Sequence, residues 1–140
     1  MERSSGAAPP LSSGASGEPE DGHAFSVGIE AIGANACVVC LTGELDLSAV
    51  PQVDKQLCDQ VRSMDGVIVD LTKVSFIDSS GIAVLIKAFR TADDGRVLNT
   101  VIAEGSQVER IFQLAGIDRA LPVFMAREPA VEALDGSTNA

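Results

Sequence analysis

A chain of 140 residues, 46% of them hydrophobic, suffices for one domain whose continuous core needs neither disulfides nor structural metals. Acidic residues outnumber basic ones 20 to 10, and the formal net charge of -10 repels nucleic-acid phosphates at long range, so any effect on transcription is expected to pass through another protein. No apolar run approaches the roughly 20 residues that span a bilayer, and Met1-Glu2-Arg3 leads into a polar small-residue tract instead of an apolar signal core; the expected location is the cytoplasm, away from the membrane.

Residues 1–22, rich in Gly, Ser, Ala and Pro, bury too little apolar area to offset the entropy of ordering, and we expect a disordered extension. His23, the one histidine, follows it and reads as an exposed residue. The ordered domain is expected over residues 23–135, with a flexible tail at 136–140. Phe25, Val27 and Ile29 alternate with Ser26, Gly28 and Glu30, the pattern of a half-buried strand, and Gly33-Ala34-Asn35 supplies turn residues before a second strand in a hairpin. That second strand carries Cys37 and Cys40. Residues three apart on a strand point to opposite faces, so their C-x-x-C spacing reads as buried free thiols, with redox or zinc chemistry the minor alternative. With Cys58 the cysteines number three, an odd count that suits a reducing compartment.

Ser48 has the side chain of a helix N-cap and Pro51 falls in the first turn, where a missing N–H costs nothing. Val50, Val53, Leu57, Val61 and Met64 then mark a buried helical stripe. Val67-Ile68-Val69-Asp70-Leu71 is apolar on both faces at first, as a strand at the sheet centre must be. Residues 72–77 are expected to connect it to a second helix with Ile82, Leu85, Ile86 and Phe89 inward, Lys87 and Arg90 outward, and Gly95 at its end. A strand over residues 97–103 precedes Ser106 and Glu109, spaced as a capping box, and a third helix with Val108, Ile111, Phe112 and Ala115 on its apolar face, closed by Gly116. A short strand at 121–125 and a last helix at 129–134 complete the order β-β-α-β-α-β-α-β-α. The fold class is α/β, a mixed, largely parallel central sheet with an N-terminal β-hairpin and covering helices.

Two segments carry a family likeness: Leu41-Thr42-Gly43-Glu44-Leu45-Asp46 and the run from Val69 to Ile82, which contains Asp78-Ser79-Ser80-Gly81. In this order and at this spacing they resemble the STAS domain of bacterial anti-sigma-factor antagonists, over residues 24 to about 134. The resemblance implies a STAS fold and a switch without enzymatic activity or cofactor. The unphosphorylated form would bind an anti-sigma factor that is also an ATP-dependent serine kinase, freeing a sigma factor; phosphorylation of the first serine of D-S-S-G would abolish binding, and a serine phosphatase would restore it. Carried onto this chain, the phosphoacceptor is Ser79, and the partner surface is formed by Gly43, Glu44, Asp46, Asp78, Ser80, Gly81 and Lys87.

Each of these residues also has a purely structural reading. Asp and Ser are the residues expected to cap a helix, and the two roles are compatible, with Asp78 as cap and Ser79 as acceptor. Gly43 can serve a tight backbone at a strand end, Glu44 and Asp46 a solvated acidic loop, Gly81 either close approach of a partner backbone or a tolerated first-turn glycine, and Lys87 a solvated face. A hydrolase using Ser79 or Ser80 would need a base, and His23 adjoins the tail. Neither G-x-x-x-x-G-K-[ST] nor G-x-G-x-x-G occurs, so nucleotide binding through such loops has no support. The rival reading within the family is a non-phosphorylated STAS-type subunit docked on a membrane transporter; a redox input through Cys37, Cys40 or Cys58 is a possible added layer.

Overall fold

β-branched runs at residues 37–41 and 67–71 pair side by side at the middle of the molecule, and every other element is arranged around them. The computed structural model describes residues 25–92 and 95–139; the extension expected at 1–22 and His23 lie outside the described residues. The elements are β1 (Ser26–Ile32), β2 (Ala36–Leu45), α1 (Val50–Ser63), β3 (Gly66–Ile77), α2 (Ser79–Thr91), β4 (Val97–Val101), α3 (Gln107–Ala115), a 3-10 turn (Ile117–Arg119), β5 (Val123–Phe124) and α4 (Arg127–Asn139). Five strands form one sheet in the order β1-β2-β3-β4-β5, with β1 antiparallel to β2 and the remaining pairs parallel. This is the expected architecture, with β3 at the centre.

Strand periodicity sorts the core into two layers. Cys37, Val39 and Leu41 of β2 and Val67, Val69 and Leu71 of β3 join Val53, Leu57 and Val61 of α1, Leu85 of α2 and Phe112 of α3 on one face. On the other, Val38, Ile68 and Val101 meet Ala130 and Leu134 of α4, where the buried Asn99 amide donates to the Ala130 carbonyl at 3.0 Å. Cys37 and Cys40 therefore face opposite layers, Cys37 buried and Cys40 half-buried, and Cys58 is buried in α1.

Several local expectations are corrected. Residues 72–77 are not a connection; they continue β3 beside β2, in a register shifted between Cys40 and Thr42 and again between Gly43 and Glu44. These irregularities replace period-two burial with Leu71, Val74 and Ile77 inward, which hides the strand from pattern reading. Since β1 starts opposite Thr42 and β4 ends opposite Asp70, among the described residues only β2 and β3 reach this end of the sheet, as a two-stranded ribbon. Ser48 does not cap α1, whose N-cap position is Ala49 without a side-chain bond. On α2 the fully buried residues are Gly81, Val84, Leu85 and Ala88, while Ile82, Ile86 and Phe89 pack only at the margin: small residues let the helix lie close to the sheet, and the large ones flank it. Ile29 is exposed because β1 is the sheet edge, and Ala115 is exposed on α3. Ser106 caps α3 by accepting the Glu109 N–H, but Glu109 answers to the Gly105 N–H, one residue before the amide a standard capping box would use. Gly116 closes α3 with φ 69°, as expected. α4 continues past Leu134 into the segment read as a tail.

Candidate functional site

The β2–β3 ribbon ends where two loops leave it together, residues 46–49 toward α1 and Asp78 toward α2. Asp78 has extended backbone angles, and its Oδ1 accepts the Ser80 N–H at 2.9 Å and the Gly81 N–H at 3.1 Å, occupying two of the free amides at the helix start. Its own N–H donates to the Leu45 carbonyl at 3.3 Å, tying the start of α2 to the end of β2. Ser79 is the first residue of α2 and is exposed. Ser80 is half-buried in a groove of about 300 Å³ between α1 and α2, lined by Val50, Asp54, Ser80, Ala83, Val84 and Lys87.

Gly81 has a reason sequence alone did not single out. A Cβ there would stand 2.5 Å from the Leu45 carbonyl oxygen and 2.8 Å from Leu45 Cγ and Ile77 Cγ1. The residue is buried, and the backbone it approaches closely is this chain's own. Gly43 is likewise buried, with φ 108°, beside the second register shift, and supplies a backbone conformation that favours glycine. The Ser75 hydroxyl donates to its carbonyl at 3.5 Å.

Of the acidic pair, Glu44 is exposed and Asp46 half-buried. Asp46 Oδ1 accepts the Ser48 hydroxyl at 2.7 Å, the Ser48 N–H at 3.1 Å and the Ala49 N–H at 3.3 Å, so this carboxylate organises the turn expected of Ser48. The Ser48 hydroxyl and then the backbone amides hold its carboxyl below the usual carboxylate range. Lys87 reaches across to α1 and pairs with Asp54 at 2.9 Å; that bond lowers the Asp54 pKa and raises that of Lys87. Both partners are well exposed, so solvent screens the pair and it chiefly fixes where the charges lie.

The structure thus brings Glu44, Asp46, Asp78, Ser79 and Ser80 to one end of the sheet, and sets Lys87 two turns further along α2. No helix among the described residues is long and apolar enough to cross a membrane, and no group of three or more His, Cys, Asp or Glu among them could hold a metal ion.

A second polar cluster, which the sequence did not reveal, lies on the α4 face. Arg127, the first residue of α4, donates from Nε to Asp70 at 2.9 Å, from its terminal nitrogens to Glu30 at 3.2 and 3.4 Å, and to Cys40 Sγ at 3.1 Å. Burial opposes the charge on Asp70, but the Thr72 hydroxyl and N–H, then Arg127, outweigh it and keep the carboxyl below its ordinary range. Burial, with Glu30 next, pushes the Cys40 thiol up, which leaves it in the less reactive protonated form. The four residues come from four separate elements, and no short-range spacing announces them.

Comparison with known proteins bears on the family and the fold. The model of the STAS domain matches residues 28–130. A protein of Listeria monocytogenes described as an anti-sigma-B factor antagonist is 24% identical over 87 residues, 61% of this chain and 75% of that one. A crystal structure of an anti-sigma factor antagonist from Mycobacterium paratuberculosis superposes with a TM-score of 0.73 at 21% identity, covering 80% of this chain and 95% of that one. The anti-sigma factor antagonist SpoIIAA in its unphosphorylated form superposes with a TM-score of 0.65 at 22% identity, over 79% and 97% of the two chains. At these identities the structural likeness establishes the fold.

Proposed function

This chain belongs to the STAS-domain family, and from that premise we propose that it is an anti-sigma-factor antagonist switched at Ser79. In its unphosphorylated form it binds an anti-sigma factor that is also a serine kinase, so that a sigma factor is released; phosphate on Ser79 ends the binding, and a serine phosphatase restores it. The observation that carries the reading is the exposed Ser79 hydroxyl at the first position of a helix whose start is already fastened by Asp78.

That arrangement gives phosphorylation a local effect. A phosphate adds roughly -1.5 to -2 charges at neutral pH and is ordinarily well received by free amides at a helix N-terminus. Here the Ser80 and Gly81 amides are taken by the Asp78 carboxylate, so the phosphate stands beside a like charge and projects outward. A partner fitted to a neutral hydroxyl then meets a solvated dianion, which is costly to strip of water. The packed helix behind it has no need to refold.

The test mixes the full chain with candidate anti-sigma serine kinases and ATP, locates the phosphate by mass spectrometry, and measures binding of Ser79→Ala and Ser79→Glu. Ser79→Ala is expected to bind and resist modification, and Ser79→Glu to bind poorly. Equal binding by both, with no phosphate on Ser79, rejects the switch. Co-purification with a membrane permease in place of a kinase would support the docking reading instead.

A further inference from the structure

Five large apolar side chains among the described residues are exposed: Ile29, Leu47, Phe76, Leu114 and Met125. Isolated ones are ordinary on a protein surface. Leu47 and Phe76 are distinguished by sharing the end of the β2–β3 ribbon with Ser79. Phe76 lies opposite Glu44 in register, between positions where Val74 and Ile77 turn inward, so it stands with Glu44 on the face of the ribbon away from Leu45 and Ile77, and it is 37% exposed. Leu47 follows two residues after Leu45, whose carbonyl receives the Asp78 N–H.

Leu47 is 70% exposed, yet its loop is not loose. Asp46 accepts three hydrogen bonds from Ser48 and Ala49, the residues that follow Leu47, and the Leu47 carbonyl accepts the Val50 N–H at 3.3 Å. A leucine held in water at a fixed position is a preorganised contact that loses little entropy when covered. The same end of the ribbon carries the carboxylates of Glu44, Asp46 and Asp78, with Lys73 further back, opposite Thr42.

Resting on the reading of Ser79 as the switch, we propose that Leu47 and Phe76 are the apolar anchors of the partner surface, and that the anti-sigma kinase meets them with an apolar pocket rimmed by cationic side chains. The sign of the switch requires such a contact. A partner that read only the carboxylates would present cations, and those would attract the phosphate instead of being expelled by it. Release on phosphorylation therefore needs a dry contact near Ser79 that a dianion cannot enter, and the two exposed apolar side chains at this end of the ribbon supply it.

The experiment follows binding kinetics of the full chain on the purified serine kinase that modifies Ser79, held with a non-hydrolysable ATP analogue. Leu47→Ser and Phe76→Ser are each expected to raise the dissociation rate about tenfold or more, while Glu44→Lys chiefly slows association and weakens its salt dependence. Leu47 touches no core, so its variant should melt with the wild type, and binding measured on it is free of folding effects. Wild-type dissociation rates in Leu47→Ser overturn the anchors even where Ser79 is phosphorylated normally. If the wild-type chain binds no such kinase and Ser79 stays unmodified, the switch falls and the anchors with it.

Discussion

At the scale of single residues, the site depends on one carboxylate oxygen that accepts two amides. Asp78→Ala leaves the Ser80 and Gly81 N–H groups without that partner and is expected to cost about 1 kcal/mol in urea unfolding, with Asp78→Asn recovering most of it. A drop that Asp78→Asn does not recover would mean that charge, and not hydrogen bonding, is the contribution. This role was legible in the sequence because Asp before a helical run has a local meaning. The matching expectation for Ser48 failed, since Asp46 lies two residues earlier and forms the turn with the same kind of oxygen. Residue type indicates that a cap is available; the chain path selects which side chain reaches the amides.

Among the elements, α2 is positioned by the absence of a side chain. Gly81 lets the first turn rest on Leu45 and Ile77, and Gly81→Ala would set a Cβ 2.5 Å from a backbone oxygen that cannot rotate away. We expect a loss of about 1–3 kcal/mol, from displacement of the helix start, and weaker partner binding although Ser79 itself is unchanged. Denaturant unfolding and binding of the variant check this together; an alanine with wild-type stability would show that α2 is free to shift. Sequence reading left the purpose of Gly81 open, because local propensity in a first turn is nearly indifferent to glycine. Residues 72–77 resemble a connection for a related reason: two register shifts break the period-two pattern by which a strand is recognised.

Over the whole molecule, Arg127 fastens α4 to three strands through Glu30, Cys40 and Asp70. Arg127→Ala is expected to cost about 1 kcal/mol, toward the low end for a broken pair because the guanidinium is 41% exposed, and to speed amide exchange in α4 before α1. Arg127 lowers Glu30, and Thr72 with Arg127 lowers Asp70 against burial, so both carboxyls have folded values below their unfolded ones. Their contribution is complete above the ordinary carboxylate range, about pH 4, and is lost as pH falls through the lower folded values. Stability measured from pH 6 down to 2 should therefore fall at the acid end, and less steeply in Arg127→Ala; parallel curves would remove the cluster from the acid response. The sequence by itself determined the α/β order, the central strand, the capped start of α2 and the motif that places Ser79 there, all of which rest on contacts within a few residues along the chain. Only the tertiary structure decided that Gly43 and Gly81 are buried, that Lys87 is paired with Asp54, that Leu47 and Phe76 are exposed at the end of the ribbon that leads to Ser79, and that Arg127 joins four elements. Those facts depend on which distant segments the sheet register and helix packing bring within a few ångströms, a relation that no local periodicity encodes.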